Sequence, residues 1–377
     1  MKIIYYLNIL IFIGILSCNC ANAAGIKFKV FPGLKFGQEW TDNIYQDYSR
    51  NPDTLTNFNL SLQSNLSLPP ALFSWWDYQL YAKKYTDWDF LDYNYHSIAG
   101  RISRDLGYWG GVEILTGAQY YLQPNAKYYN FDTFYLHPGI KGYITDYTIF
   151  NAAYNYSKTT YPNYVLDYSA NGYSLQLTQE FSLFSKITLD YSNKKREYPE
   201  WRIIIDTIGT QSPDLQQADD ISTGINFSYQ MLSSELNIYY NYSKFESNAT
   251  YLDYGPDLVS ATGDEILIRN YYFNYTDEFG IGMQLSLFDK LFPYLLIASK
   301  TVNYTHRPAK DINNVYLAEK RKDANTYARI DISYPIGRIE SGKLDLMISY
   351  SYENNESNDY FYNYTNSITK FTISTYF

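Results

Sequence analysis

Residues 343–352 read Lys-Leu-Asp-Leu-Met-Ile-Ser-Tyr-Ser-Tyr, and their alternation sets the secondary structure from which the fold is built. Leu344, Leu346, Ile348, Tyr350 and Tyr352 fall on one side of an extended chain; Lys343, Asp345, Met347, Ser349 and Ser351 fall on the other. Successive side chains of a strand point to opposite faces, so the segment makes a strand with one apolar and one polar face. The same pattern recurs along the chain. In 235–243, Leu236, Ile238, Tyr240 and Tyr242 alternate with Glu235, Asn237, Tyr239, Asn241 and Ser243. Similar pairs of faces run through 58–68, 173–178, 223–229 and 326–334. A soluble β-sandwich alternates in the same way, so periodicity alone leaves both architectures open.

The connections separate them. Period and turn residues place about 16 strands, within a range of about 14 to 18, near 26–40, 55–68, 73–85, 93–105, 109–122, 131–143, 146–157, 168–181, 184–195, 219–231, 234–245, 269–287, 291–305, 323–336, 340–352 and 360–377. Short links, at Pro69-Pro70, Leu106-Gly107, Ile144-Thr145, Ser182-Leu183, Leu232-Ser233, Asp289-Lys290 and Gly337-Arg338, alternate with long ones at 41–54, 86–92, 123–130, 158–167, 196–218, 246–268, 306–322 and 353–359. An even number of strands with short turns at one end and long loops at the other is the pattern of a transmembrane barrel.

Composition agrees. Beyond residue 24 no apolar run approaches a spanning helix, and mean hydropathy is −0.37. Yet 45 Tyr, 21 Phe and 6 Trp make 19% of the chain aromatic, more than a soluble surface carries. A membrane protein without apolar helices must close its backbone hydrogen bonds in a barrel. The rings gather at strand ends: Tyr154, Tyr156, Tyr191, Tyr240, Tyr242, Tyr350 and Tyr352 by the loops, and Trp75, Trp76, Phe181, Phe184, Phe288 and Phe292 by the turns. Two such belts suit the headgroup layers, although Tyr and Phe are also good strand formers.

The N-terminus reads as an export leader. Lys2 precedes the apolar run Ile9–Leu16, and Ala21-Asn22-Ala23 offers small residues for cleavage. This divides the chain into a leader, 1–23, and a barrel, 24–377. Ile15-Leu16-Ser17-Cys18 is a competing lipoprotein site. Cys18 and Cys20 both lie in the leader, so the mature chain has no disulfide, thiol chemistry or Cys-ligated metal.

In the final strand, Phe371, Ile373, Thr375 and Phe377 share one face, with Phe377 the last residue. This resembles the C-terminal signature of Gram-negative outer-membrane β-barrel proteins; Thr375 is less apolar than is usual there. The resemblance implies that Phe371, Ile373 and Phe377 form the signal read by the barrel-assembly machinery. It also implies an outer-membrane location amid lipid and lipopolysaccharide.

Catalytic chemistry finds little footing. His96 and His137 sit in strands and His306 in a loop; no Gly-x-Ser-x-Gly or His-Glu-x-x-His occurs. No cofactor motif is present, so a non-enzyme without cofactor is expected. Lys194-Lys195-Arg196 is too short and isolated in an acidic chain for nucleic-acid binding. The Asn-x-Ser/Thr matches at Asn155, Asn226, Asn241 and Asn303 follow from strand composition. The long loops are acidic, with Asp42, Asp47, Asp53, Asp87, Asp89, Asp92, Asp214, Asp219, Asp220, Asp253, Asp257, Asp264 and Glu265, so the net charge of −9 gathers at one mouth and favours cations there. Asp87-x-Asp89-x-x-Asp92 offers oxygens for a calcium ion but lacks the EF-hand glycine and spacing; an ordinary solvated loop is the plainer reading.

The inferred inward face carries both signs of charge: Lys27, Lys29, Lys35, Glu39, Asp77, Lys83, Arg101, Glu113, Lys141, Asp190, Glu235, Arg329, Asp331, Lys343, Asp345 and Lys370. A barrel of this size encloses an aqueous channel, and such charges either set ion preference or pair off within the wall. The apolar run Trp201–Ile205 suggests that loop 196–218 folds into the lumen as a constriction or extends the adjacent strand pair. The fold expected is all-β, one transmembrane antiparallel barrel with both termini periplasmic. The function expected is a porin-like passive channel for small polar solutes; the alternatives are an adhesin or assembly barrel and a secreted β protein. Fold by itself does not choose between these.

Overall fold

The computed structural model describes residues 27–376 apart from 69–70, 232–233, 254–265, 288–289 and 340–341. The leader, the Pro69-Pro70 and Leu232-Ser233 turns, Asp257, Asp264, Glu265, Phe288 and Phe377 lie outside these residues. Among the described residues eighteen strands run β1 (Lys27–Thr41), β2 (Asp53–Leu68), β3 (Leu72–Tyr85), β4 (Tyr93–Asp105), β5 (Gly111–Leu122), β6 (Phe131–Thr145), β7 (Thr148–Thr160), β8 (Tyr168–Ser182), β9 (Ser185–Ile204), β10 (Gln211–Met231), β11 (Ser234–Ser247), β12 (Tyr251–Asp253), β13 (Ile266–Ile268), β14 (Asn274–Gln284), β15 (Phe292–Lys310), β16 (Tyr316–Ile339), β17 (Gly342–Ser357) and β18 (Tyr364–Tyr376).

Sixteen of them close into one antiparallel barrel, each paired with its sequence neighbours, with β11 joined to β14. The short β12 and β13 pair separately. Strand β1 meets β18, from Gly33 opposite Tyr376 to Thr41 opposite Ile368, and this seam leaves the wall no free edge.

Register identifies the two faces. Outward lie Phe36, Leu62, Ile102, Ile140, Leu189, Phe279, Ile297 and Ile373, all exposed. In water such a belt would be unfavourable at about 25 cal/mol per Å²; against hydrocarbon it is not. The other face holds Glu39, Asn57, Asp77, Ser228, Asp331, Ser349 and Thr372, which are buried. There the Lys83 ammonium on β3 reaches Glu39 on β1 at 3.2 Å, across β2, a contact that the concave side of the wall permits. An apolar exterior around a polar interior makes this a membrane-spanning barrel.

Each of the sixteen expected spans contains a strand of the wall, but the ends differ: several run further at the loop end, whereas 269–273 forms a turn ahead of β14 and 360–362 a single 3-10 turn ahead of β18. The 196–218 segment is a strand extension: β9 continues to Ile204, β10 begins at Gln211, and Gly209 (φ +83°) lies in the turn between them. The β-branched run Ile203-Ile204-Ile205 favours this pairing. His306 belongs to the extended β15 rather than to a loop. Gly337 and Arg338 are also strand residues, paired with Leu344 and Lys343 beside a bulge, so that turn lies further along. Trp75 and Trp76 cannot both face lipid: Trp76 points outward over Gly100, whereas Trp75 shares the inward register of Arg101.

Candidate functional site: the barrel interior

Strand register puts Lys83, Arg101, Glu113, Lys141, Asp190, Glu235, Arg329, Asp331, Asp345 and Lys370 on the same face as Glu39. Their partners differ. Glu39 accepts hydrogen bonds from Asn57 Nδ2 at 3.1 Å and Lys83 Nζ at 3.2 Å, with Lys370 Nζ at 4.0 Å. Asn57 in turn accepts from Tyr81 Oη at 2.7 Å. This buried carboxylate therefore ties β1 to strands on both sides of the seam. Arg329 donates through Nε to Asp331 at 2.8 Å. Arg101 and Glu113 meet at 3.7 Å, half-exposed, where screening leaves an ion pair worth little. Asp190 accepts from Gln176 at 2.8 Å and Glu235 from Asn237 at 3.1 Å. Among the described residues Lys141, Asp190, Glu235 and Asp345 have no opposite charge within 4 Å.

Rings line the interior as well. Tyr81, Tyr93, Tyr121, Phe131 and Tyr161 lean on one another around the loop end, with successive ring centres 5.8, 5.0, 5.2 and 5.7 Å apart. Parity with Lys83 and Arg101 was the sequence signal for this run, which a reading of Tyr as interface residues overlooks. Two further tyrosines lie flat against glycines: a Cβ on Gly117 would come within 2.4 Å of Tyr135, and one on Gly280 within 2.3 Å of Tyr239. Of the histidines, His137 faces inward beside Tyr135. His96 faces outward, its Nδ1 3.1 Å from Tyr78 Oη.

The loops form a stitched collar at the mouth. Tyr45 meets Trp88 with ring centres 5.1 Å apart; Asn125 Nδ2 donates to the Asp89 carbonyl at 3.1 Å, and Asn163 Nδ2 to that of Lys127 at 2.8 Å. Further round, the Ile204 N–H donates to Thr250 Oγ1 at 2.8 Å, and Tyr251 stacks on Tyr271 at 4.5 Å. Arg307 lies over Tyr271 and Tyr362, 4.6 and 4.7 Å from their centres. Tyr48 closes on Phe361 at 5.2 Å. Several mouth carboxylates hold loop backbone: Asp42 accepts from Ser367 N, Asp92 from Tyr85 N, and Asp53 from the N–H groups of Thr54, Thr86 and Asp87. Asp92 is thus engaged as a turn cap, and no group of three or more His, Cys, Asp or Glu among the described residues is placed to hold a metal. Burial pushes the Asp359 carboxyl above the usual carboxylate range, against the pull of the Phe361 N–H and of Arg321 and Arg307.

No family model and no curated protein matches the chain. Solved structures do resemble it. OmpT, an outer membrane protein of Vibrio cholerae in a trimer form, aligns with a TM-score of 0.50 at 7% identity, over 93% of this chain and 99% of that one. OprD of Pseudomonas aeruginosa aligns at 0.46 and 8% identity, over 93% and 95% of the two chains. OccK5 (OpdH) of the same organism aligns at 0.45 and 10% identity, over 92% and 98%. At such identities the likeness is one of fold.

Proposed function

We propose that the chain is a porin-like passive channel of a Gram-negative outer membrane, exported by the leader 1–23 and admitting small polar solutes. The observation that carries this reading is the interior. Sixteen strands enclose it, both signs of charge line it, and a recess of about 700 Å³ lies against its wall between β4 and β10. Barrels of this strand number hold water rather than a side-chain core. Lysines and arginines pair incompletely with the carboxylates there, so a hydrated solute meets a polar, charged path without a cofactor. The ten charged residues named above are the proposed lining.

Lipid and lipopolysaccharide are the surroundings that the outward apolar belt fits. Phe371 and Ile373, outward on β18 and 42% and 48% exposed, together with Phe377 are proposed as the mark for the barrel-assembly machinery. Both termini are then periplasmic and the collar extracellular. A second reading, an interaction barrel, draws on the apolar tips of the tall hairpins, where Ile208 is 74% and Ile312 63% exposed.

Single-channel recording of the refolded protein in a planar bilayer tests the proposal. Stable conductance steps are expected. Silence from protein whose heat-modifiable mobility proves it folded would favour the interaction barrel. N-terminal sequencing of mature protein should begin at Ala24; an acylated Cys18 would replace the leader with a lipoprotein signal.

A further inference from the structure

The interior recess leaves its charges in an unusual state. It exists because the inward residues at its floor are small, among them Ala153, Ser174, Ser192 and Ser222. Around that floor stand three cations, Arg101, Lys141 and Lys186, and three carboxylates, Glu113, Glu180 and Asp190. At other places on the inward face unlike charges close up, as in Arg329–Asp331 at 2.7 Å and Lys83–Glu39 at 3.2 Å, although Glu235 and Asp345 stand apart there too. Within the recess one ion pair forms, Arg101–Glu113 at 3.7 Å. Glu180 and Lys186 are register partners on adjacent strands, yet no contact within 4 Å joins their charged ends. Lys141 lies 5.0 Å from the Tyr143 ring centre, and Asp190 takes its hydrogen bond from the neutral Gln176.

We propose that this recess is a binding subsite for small zwitterions of the α-amino acid class; the inference rests on the channel reading above. A solute of one sign meets three unlike and three like charges, and attraction and repulsion largely cancel. A molecule carrying both signs a few ångströms apart gains from each set. Its carboxylate faces Lys141 or Lys186, and its ammonium faces Glu180 or Asp190. Charge-assisted hydrogen bonds of this kind are stronger than neutral ones, and Gln176 and Thr178 add neutral partners. The volume, about 700 Å³, is within the usual range for small-ligand sites and leaves room for hydration water. Glu180 and Lys186 adjoin the β8–β9 turn, so the subsite lies in the turn-end half of the channel, where a weakly held solute can leave.

The test uses the full-length barrel in liposomes and compares swelling rates for alanine, alaninamide (a cation), N-acetylalanine (an anion) and arabinose. The arabinose rate of each variant serves as its own reference. Wild type is expected to admit alanine at least roughly threefold faster than either singly charged derivative. In Lys141→Gln/Lys186→Gln the preference should pass to alaninamide, and in Glu180→Gln/Asp190→Asn to N-acetylalanine. A purely structural role for these charges would not reverse sign between the two variants. Equal rates for the three alanine species in wild type, or a preference that neither variant moves, overturns the subsite while leaving the channel standing. If arabinose does not enter, the channel reading fails instead. Saturation-transfer NMR on the detergent-solubilised protein then decides the recess: transfer to alanine that is lost in both variants supports it, and transfer absent or unchanged refutes it.

Discussion

The guanidinium of Arg321 lies 3.3 Å from the centre of the Tyr362 ring while its Nη2 grips Asp323 at 2.6 Å. Nη1 of this buried arginine has no hydrogen-bond acceptor, and the ring face takes that place. With Arg307 also over Tyr362, one ring connects the β17–β18 turn to the upper ends of β15 and β16. Tyr362→Ala should therefore loosen this quarter of the collar by about 1–2 kcal/mol, seen as faster amide exchange at 358–363 and 269–273. Tyr362→Phe keeps the ring and should exchange like wild type; equal loosening in both variants would assign the effect to the hydroxyl.

Asp359 gives a dependence on pH. Its carboxyl is buried and its pKa raised. A group raised in the folded state contributes most stability below its unfolded pKa, and loses that contribution as pH rises through the folded value. Asp359→Asn keeps an acceptor for the Phe361 N–H without a buried charge. Exchange at 360–363 should be slower than wild type at pH 8, with the gap closing as pH falls toward 4. Asp359→Ala, which lacks the acceptor, should exchange faster at both.

Glu39 is the carboxylate toward which Lys83 and Lys370 converge. Glu39→Gln leaves both cations facing the lumen. One unit charge at about 8 Å and an effective dielectric of about 40 is worth about 1 kcal/mol. The reversal potential in a salt gradient should thus move toward anions by roughly fivefold in permeability ratio at low salt, and by less at 1 M. An unmoved reversal potential would take this cluster off the ion path.

Gly280 lies beneath the Tyr239 ring, whose hydroxyl donates to Glu278 at 2.9 Å. In Gly280→Ala the new methyl displaces the ring and weakens that bond, destabilising the barrel by about 1–3 kcal/mol. The heat-modifiable transition should fall in temperature, and restoring space with Tyr239→Ser should recover part of the loss. A transition unchanged in Gly280→Ala would mean that the ring moves aside freely.

How much of this was legible depends on what repeats. The sixteen spans were readable because a lipid-facing side and a water-facing side impose a period of two, as in 343–352. That Lys83 and Arg101 share the face of Glu39 followed from the same parity. Strand length above the membrane did not: β16 begins at Tyr316, where Glu319, Lys320 and Lys322 carry no apolar alternation, because a hairpin standing in water needs none. Contacts across strands were also hidden. That Glu39 finds Lys83 and Lys370, while Glu180 and Lys186 remain apart, depends on stagger between strands and the bend of the wall. The Tyr81–Tyr161 run of rings is hidden for a related reason: Tyr serves both faces, so composition cannot assign it to one.

The seam between β1 and β18 has a consequence for how the barrel comes into being. Thr41 and Asn366, hydrogen-bonded at 2.8 Å, are 325 residues apart in the chain. Bringing such distant segments together costs loop entropy before any contact rewards it, so closure of this seam is expected late in assembly. Until then both terminal strands present open edges to other chains. A barrel caught before closure would offer those edges to aggregation and proteolysis. Substitutions along Gly33–Thr41 or 368–376 should lower the yield of assembled barrel more than they lower the stability of barrels already closed.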